Sequence, residues 1–165
     1  MNKLCNAPSQ TKAPASQVSG SISSVAKATV SKAPDAPIMQ DSRDGLSGLV
    51  GIVDDDSRIR YLLTEELLDL GLTPKNYSNA FEVLDDPSKS DLKIILLDLM
   101  MPQLDGIECL RRLREGGFTK PIIIFTALSD NEKRQQSEDA GASEYILKPD
   151  LFENLEKVIA RHLRQ

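Results

Sequence analysis

Hydrophobic residues after position 46 fall into short runs separated by longer amphipathic segments. Four runs are rich in aliphatic residues and too short for buried helices, which favours strands covered on both faces of a parallel sheet. They occupy residues 49–53, 94–97, 122–125 and 145–147. A weaker strand is predicted at residues 73–78, where Pro74 near the start favours an edge position.

The segments between these runs repeat apolar residues every three or four positions, as a helix with one buried face does. The first helix is expected to bury Ile59, Leu62, Leu63, Leu67 and Leu70, the third to bury Ile107, Leu110 and Leu113, and the last to bury Phe152, Leu155, Val158, Ile159 and Leu163. A short helix over residues 79–84 and a polar helix over about 130–140 complete the set. Asp56 or Ser57 is placed to cap the first helix, and Asp105 the third.

Strands that alternate with helices predict an α/β fold: a doubly wound parallel sheet with right-handed crossovers and helices on both faces. We assign this domain to residues 47–165. Residues 1–46 are rich in Ser, Ala, Pro and Thr and contain no aromatic residue, so we expect a disordered extension. The extension is interpreted as a tether. Its lysines precede its first acid, Asp35, which organellar transit peptides also show, so a targeting segment is the alternative.

Composition excludes several classes of protein. The formal net charge of −5 and the pI of about 5.0 are unsuited to binding nucleic acid. No apolar segment approaches the roughly 20 residues of a membrane span, so we expect a cytoplasmic protein without membrane insertion. Cys5 and Cys109 lie far apart and His162 is the only histidine, which argues against a disulfide framework or a zinc site. Cys109 is expected to be a small buried residue.

Each of the four buried runs is followed or ended by a polar side chain. Asp54 and Asp55 follow the first run, Asp98 the second, Thr126 the third and Lys148 the fourth. In parallel α/β sheets ligands bind just beyond the carboxyl ends of the strands. Each residue alone has an ordinary explanation as a helix cap or a solvated loop residue, but the complete ordered series predicts one common site.

The chemistry of that site follows from its charges. Two carboxylates about 4 Å apart repel by roughly 1 kcal/mol in water and about 4 kcal/mol at an intermediate dielectric. Oxygen ligands without histidine favour a hard cation, and Mg²⁺ suits an open site of this kind. The Lys148 ammonium and the Thr126 hydroxyl would suit a tetrahedral anion attached to Asp98, so an aspartyl phosphate is a sensible hypothesis.

The folded part of the chain resembles the receiver domain of bacterial response regulators in two-component signalling. The motifs that carry the resemblance are Val53-Asp54-Asp55-Asp56, Leu97-Asp98-Leu99-Met100-Met101-Pro102 with Asp105-Gly106, Ile124-Phe125-Thr126-Ala127, Ala140-Gly141-Ala142 and Lys148-Pro149. They occur in the family's order across residues 49–163. The resemblance implies a flavodoxin-like (βα)5 fold with strand order 2-1-3-4-5.

The resemblance also implies roles for individual residues. Asp98 would accept a phosphoryl group from the phosphohistidine of a sensor histidine kinase or histidine phosphotransfer protein. Asp55, Asp98 and the Met100 carbonyl would bind Mg²⁺, and Asp54 would help through water. A second group would bind the phosphoryl oxygens or report on them: Thr126, Lys148 and the switch aromatic Tyr145. The Lys148–Pro149 peptide is expected to be cis.

Two features depart from the family pattern. Asp150 follows Lys148-Pro149 where an aromatic residue is usual, and Phe152 comes later, so the last helix is expected to start at a shifted position. The chain ends at Gln165, soon after that helix, so we expect output through contacts with a downstream effector protein.

Alternative functions are separated by the same residues. The leading hypothesis is a phosphoacceptor switch, and the alternative is a phosphorelay intermediate or phosphate sink with no effector of its own. A hydrolase with an aspartyl intermediate is disfavoured because Met100 stands where haloacid-dehalogenase-type phosphatases have their second acid. We therefore predict no enzyme beyond self-catalysed phosphorylation and slow self-dephosphorylation.

Overall fold

The structure is a computed structural model that describes residues 46–164. Five strands alternate with five α-helices, as the sequence predicts. The strands are β1 (Leu49–Val53), β2 (Thr73–Tyr77), β3 (Leu92–Leu97), β4 (Ile122–Thr126) and β5 (Glu144–Leu147). The helices are α1 (Ser57–Asp69), α2 (Ala80–Asp85), α3 (Gly106–Glu115), α4 (Asn131–Asp139) and α5 (Lys148–Leu163), and a short 3₁₀ helix (Lys89–Asp91) precedes β3.

The strands form one parallel sheet in the order β2-β1-β3-β4-β5, which confirms the predicted flavodoxin-like topology. Val53, the last residue of β1, lies opposite Tyr77 of β2 and Leu97 of β3. Leu97 also lies opposite Ile124, two residues before the end of β4. The register therefore brings the residues that follow β1, β3 and β4 to the same edge of the sheet.

Hydrophobic clusters cover both faces of this sheet. In β3, Ile94 and Leu96 join the cluster that contains residues of α1 and α5. Ile95 and Leu97 join the cluster that contains residues of α2 and α3. This alternation explains why the run is apolar at every position, because each side chain is buried whichever face it points to. Cys109 is buried in the second cluster, as expected.

One residue of α1 was assigned to the wrong face. Leu62 was predicted to face inward, but its side chain is 50 % exposed, whereas Leu63 and Leu67 are fully buried. On a helix of 3.6 residues per turn Leu63 and Leu67 lie about 40° apart, whereas Leu62 lies about 100° from Leu63 and about 140° from Leu67, outside the arc that contacts the sheet. Asp56 caps this helix by accepting a hydrogen bond from the Arg58 amide at 2.9 Å.

The last helix also differs from the prediction. It begins at Lys148, and the side chain that it buries first is Leu151, whereas Phe152, which was expected to face inward, is only partly buried. Asn154 has non-helical backbone angles and kinks α5. Its side-chain amide donates to the Asp150 carbonyl oxygen at 3.0 Å. The kink separates the first six residues of the helix from the rest. A single helical repeat of apolar residues therefore does not fit both parts.

Helix α4 contains no apolar residue, and only Ser137 on it is buried. The Ser137 hydroxyl donates to the Lys133 carbonyl oxygen at 2.7 Å, which satisfies that buried group. Asp130 caps the helix by accepting from the amides of Glu132 and Lys133. The helix is therefore positioned by its cap and by polar contacts.

Within residues 46–164, no helix is both long enough and apolar enough to span a membrane. The expectation of disorder for residues 1–46 falls outside the described residues except at its last position. Leu46 is partly buried there and packs against the cluster formed with α1 and α5.

Candidate functional site

Two buried carboxylates lie side by side where β1 and β3 end. Asp54 follows β1 and Asp98 follows β3, and their residues are 0 % and 1 % exposed. The Asp98 amide donates to the Val53 carbonyl oxygen at 2.9 Å, which extends the pairing of the two strands by one step. The Asp54 amide donates to the Tyr77 carbonyl oxygen at 3.3 Å. The sheet itself therefore fixes the backbone of both acids.

Lys148 supplies a positive charge to both carboxylates. Its Nζ lies 2.8 Å from Asp54 Oδ2 and 3.2 Å from Asp98 Oδ2. Lys148 follows β5 directly, two strands from β3 in the sheet order, so its long side chain reaches across the end of β4. Its ammonium nitrogen lies 5.3 Å from the centre of the Phe125 ring.

Asp55 completes an acidic cluster, and the three carboxylates have oxygen atoms within 4.8 Å of one another. We call Asp54, Asp55, Asp98 and Lys148 the acidic site. With all four ionised, three negative charges face one positive charge, which leaves a surplus of two. Such a surplus costs stability unless a cation balances it.

The pKa values of the site reflect that imbalance. Burial raises the pKa of Asp98; the Lys148 ammonium opposes this rise and the Asp54 carboxylate adds to it. Burial alone would lower the pKa of Lys148, but its contacts with Asp54 and Asp98 outweigh this and raise it. Lys148 is thus held charged by two acids, whereas Asp98 shares with Asp54 the one cation that contacts it among residues 46–164.

Two buried carboxylate oxygens of the site have no well-directed hydrogen-bond partner among residues 46–164. Asp98 Oδ1 is buried and accepts no hydrogen bond from residues 46–164. Asp54 Oδ2 likewise accepts no well-directed hydrogen bond, although Lys148 lies near it. Buried carboxylate oxygens without partners are costly. Two such atoms in a cluster of three acids fit a hard divalent cation such as Mg²⁺.

Arg60 holds the backbone beneath the acidic site, a contact that sequence reasoning missed. Its guanidinium donates to the Asp54 carbonyl oxygen at 2.6 Å and to the Asp55 carbonyl oxygen at 3.0 Å. The Asp54 carboxylate accepts from the Asp56 amide at 2.8 Å. The loop between β1 and α1 is therefore held from both sides, and only the spacing of Arg60 on α1 could have indicated this.

Gly106, the first residue of α3, is required by a close approach to Asp98. A Cβ atom on Gly106 would lie closer than 3.0 Å to the Asp98 carbonyl oxygen and to the Leu99 Cα. The Gly106 amide donates to the Leu99 carbonyl oxygen at 3.1 Å. The start of α3 is thus pressed against the backbone that carries Asp98, which only a residue without a side chain allows.

The remaining predicted site residues lie around the carboxyl ends of β3, β4 and β5. Thr126 ends β4 and is fully buried, with its hydroxyl oxygen accepting from the Leu128 amide at 3.3 Å. Tyr145 of β5 is 5 % exposed and its hydroxyl donates to the Leu128 carbonyl oxygen at 2.8 Å. Met100 lies in the loop after β3, where its residue is 58 % exposed.

Comparisons with known proteins agree with this geometry. The family model described as the response regulator receiver domain matches residues 50–160. Among solved structures, the chain is similar to the chemotaxis protein CheY4 of Vibrio cholerae, with 30 % identity and a TM-score of 0.65 over 72 % of this chain and 100 % of that one. It is also similar to the BeF3-activated N-terminal receiver domain of Klebsiella pneumoniae RstA, with 28 % identity and a TM-score of 0.64 over 71 % of this chain and 99 % of that one.

A longer relative shows how much of such a protein the match covers. The chain is 36 % identical to the DNA-binding transcriptional regulator NtrC of Escherichia coli over 102 residues, which are 62 % of this chain. The chain spans only 22 % of the length of that relative.

Proposed function

This chain belongs to the response regulator receiver family, and we propose that Asp98 is the residue through which it accepts a phosphoryl group. Receiver domains are phosphoacceptor modules of two-component signalling. One observation favours Asp98 over its neighbours. Asp54 and Asp98 are both buried and both contact Lys148, but both oxygens of the Asp54 carboxylate have a contact, Oδ1 with the Asp56 amide and Oδ2 with Lys148. Asp98, at the end of the central strand β3, contacts Lys148 through Oδ2, and its Oδ1 has no hydrogen-bond partner among the described residues.

The transfer forms one bond and breaks one. A carboxylate oxygen of Asp98 donates an electron pair to the phosphorus of a phosphohistidine, and a new O–P bond forms. The N–P bond breaks, and its electron pair returns to the imidazole of the donor protein. The chain thereby gains an aspartyl phosphate, so its own residues must bind and orient a group of high negative charge.

The acidic site requires a cation for this role. Asp54, Asp55 and Asp98, with the Met100 carbonyl, are the groups that we propose to hold Mg²⁺, with Asp54 acting through water. When bound, Mg²⁺ supplies positive charge that offsets the charge developing on the phosphoryl oxygens. The surplus of two negative charges among these residues and Lys148 supports this assignment.

Thr126 and Lys148 are proposed to bind the phosphoryl oxygens after transfer. Lys148 lies 3.2 Å from Asp98, so its ammonium can reach the negatively charged oxygens that a phosphoryl group adds there. Thr126 offers a hydroxyl whose present bond, to the Leu128 amide, leaves its proton free to be donated. Tyr145 is proposed as the aromatic residue whose position reports phosphorylation to an effector protein, through its hydrogen bond to the same Leu128 peptide.

The proposed partners follow from this chemistry. The donor is a sensor histidine kinase or a histidine phosphotransfer protein, and the recipient of the signal is an effector protein in the cytoplasm. Residues 47–165 are proposed to be sufficient for phosphorylation and residues 1–46 to be a tether. Protein that lacks residues 1–46 should incorporate phosphate at the rate of the full chain, and loss of incorporation would contradict this boundary.

The assignment is tested by intact-mass measurement after incubation with acetyl phosphate and Mg²⁺. The parent protein should gain the mass of one phosphoryl group, and Asp98→Asn should gain none. Asp91→Asn is the matched control, because it makes the same chemical change at an exposed residue of the 3₁₀ helix before β3. Equal incorporation in Asp98→Asn and the parent would overturn the proposal.

A further inference from the structure

Tyr145 of β5 is in a buried position. The residue is 5 % exposed, and its hydroxyl donates to the Leu128 carbonyl oxygen at 2.8 Å. A tyrosine on a strand near the surface gains about one hydrogen bond and some apolar burial in this way. Something must offset the entropy of holding the ring, because the same hydroxyl could bond to water if the ring turned outward.

The backbone of Leu128 links the side chains of Tyr145 and Thr126. Its amide donates to the Thr126 hydroxyl oxygen at 3.3 Å, and its carbonyl oxygen accepts from the Tyr145 hydroxyl. The ring of Tyr145 and the hydroxyl of Thr126 are therefore both bonded to one residue of the loop that follows β4. The side chain of Leu128 takes no part in either bond, so the coupling belongs to the loop conformation.

Arg134 of α4 holds the other side of Tyr145. Its guanidinium carbon lies 4.6 Å from the centre of the Tyr145 ring, within the range of a cation–π contact. Its Nη1 donates to the Tyr145 carbonyl oxygen at 3.2 Å. Arg134 therefore contacts both the ring and the backbone of Tyr145. The Asp130 cap fixes the start of the helix that carries Arg134.

Arg134 is also free of competing ion pairs. No carboxylate of residues 46–164 lies within 4.0 Å of its guanidinium, whereas Arg161 and Arg112, for example, are paired with Glu144 and Glu108. An arginine that is drawn to a ring and a carbonyl rather than to an acid contributes planar stacking as well as charge. The contact with Tyr145 is thus the interaction that positions the side chain of Arg134.

We propose that Arg134 is a positioning residue that holds the Tyr145 ring in its buried position. This rests on the proposed function, in which the place of the Tyr145 ring reports phosphorylation. In that function, a phosphoryl group on Asp98 draws the Thr126 hydroxyl toward it and favours the buried ring. Arg134 favours the same position of the ring, so it reduces the further shift that phosphorylation can produce. Substitution of Arg134 should let the Tyr145 ring turn outward more often. Phosphorylation would then produce a larger change in the position of the ring.

The expected size of the effect is a change of about threefold in the ratio of buried to exposed ring. One cation–π contact at an exposed residue gives about this factor, whereas the hydrogen bond to the Tyr145 carbonyl oxygen positions the guanidinium wherever the ring lies. A ring that is buried in about nine molecules of ten in the parent would then be buried in about three of four in the variant.

The test is ¹⁹F NMR of the full chain with 3-fluorotyrosine at its three tyrosines. The signal of residue 145 is assigned by its loss in Tyr145→Phe, and its solvent exposure is read from the shift between H₂O and D₂O. Arg134→Ala should raise the exposure of the ring, and Arg134→Lys should restore it in part because an ammonium keeps the charge but loses the planar stack. Arg112→Ala on α3 is the control and should leave the signal unchanged.

These samples have met no phosphoryl donor, so the result does not depend on whether Asp98 is phosphorylated. Equal exposure of residue 145 in the parent and in Arg134→Ala would overturn the role of Arg134, whatever happens at Asp98. Failure of Asp98 to take up phosphate would overturn the proposed function and leave the ring measurement intact. A parent protein with an exposed Tyr145 ring would also contradict the inference.

A second measurement separates positioning from mere stability. Acetyl phosphate and Mg²⁺ should move the residue-145 signal further in Arg134→Ala than in the parent, provided that both proteins incorporate one phosphoryl group. A variant that was only less stable would melt at a lower temperature but respond to phosphate as the parent does. An equally large response in both proteins would contradict the proposal.

Discussion

The ammonium of Lys148 lies nearer to Asp54, at 2.8 Å, than to Asp98, at 3.2 Å. The carboxylate that we propose to carry the phosphoryl group is therefore the less well compensated of the two. Burial of Asp98 adds to this disadvantage, and the second oxygen of Asp98 has no hydrogen-bond partner within residues 46–164. The site accordingly stores unfavourable electrostatic energy that a cation can relieve.

The first prediction is that Asp98→Asn stabilises the protein when no divalent cation is present. The change removes one of three clustered negative charges and leaves Lys148 paired with Asp54, so the free energy of unfolding should rise by about 1 kcal/mol. In a domain of this size the melting temperature should increase by about 4 °C. Thermal unfolding followed by circular dichroism, in buffer with a chelator, measures this.

Asp91→Asn is again the control and should change the melting temperature little, since Asp91 is exposed. Mg²⁺ should then stabilise the parent more than Asp98→Asn, because a ligand that binds only the folded state adds stability in proportion to its affinity. If Asp98→Asn melts at a lower temperature than the parent without Mg²⁺, the charge surplus is not the dominant feature of the site.

The second prediction concerns pH. Burial raises the pKa of Asp98 above its ordinary value of 3.8, so the folded protein binds this proton more tightly than the unfolded chain does. Between 3.8 and the raised pKa, the contribution of Asp98 to stability therefore falls as the pH rises. The advantage of Asp98→Asn over the parent should be complete above the raised pKa and should disappear as the pH falls below 3.8. Urea unfolding of both proteins between about pH 4 and pH 8 follows this difference, and a constant difference across that range would contradict the account.

Much of the site could be predicted because it depends on strand ends. Asp54, Asp98, Thr126 and Lys148 each follow or end an apolar run, and a parallel sheet must bring such positions to one edge. The sheet order itself needed the family resemblance, since apolar runs do not say which strands are neighbours. The hydrophobic pattern thus sufficed to place residues whose position depends only on where a strand ends.

The contacts that escaped prediction depend on the direction that a side chain takes or on backbone detail. Arg134 reaches Tyr145 and Arg60 reaches two carbonyl oxygens, and a charged residue on a helix is by default expected to face water. Leu62 and Phe152 were placed inward because apolar residues at helical spacing outnumber the positions that one face can bury. The kink at Asn154 could not be seen from composition, because it is a backbone feature of one residue.

The third prediction is that Gly106→Ala destabilises the protein and impairs the site. The added methyl group would overlap the Asp98 carbonyl oxygen and the Leu99 backbone, so either α3 or the Asp98 loop must shift. We expect a loss of about 2 kcal/mol in the free energy of unfolding, typical of forced overpacking. Gly116→Ala is the control, because its added methyl would lie 3.1 Å from the Arg112 carbonyl oxygen and 3.5 Å from the Leu113 carbonyl oxygen, without the overlap below 3.0 Å that Gly106→Ala makes. Equal urea midpoints for the two variants would show that the approach of α3 to Asp98 does not matter.

The fourth prediction is a long-lived phosphorylated state. Met100, two residues after Asp98, and Leu128, two after Thr126, carry no group that could accept a proton or orient a water for attack on the phosphorus. Water positioning is a main part of catalysis in this chemistry, and each 1.36 kcal/mol of barrier changes the rate about tenfold. The Met100→Asn, Leu128→Glu double variant should therefore lose its phosphoryl group at least about tenfold faster.

The decay is followed by intact mass after the donor is removed. Met100→Leu with Leu128→Met serves as the matched control, since both changes keep apolar side chains of similar size. Rapid loss of phosphate from the parent protein, or no acceleration in the polar double variant, would contradict this prediction.

The most direct test of the central claim is to locate the phosphoryl group on the unaltered chain. Protein treated with acetyl phosphate and Mg²⁺ is reduced with borohydride, which converts an aspartyl phosphate to homoserine, and peptides are then sequenced by mass spectrometry. The account predicts homoserine at position 98 and at no other aspartate. Homoserine at Asp54 or Asp55 with an unmodified Asp98 would contradict it.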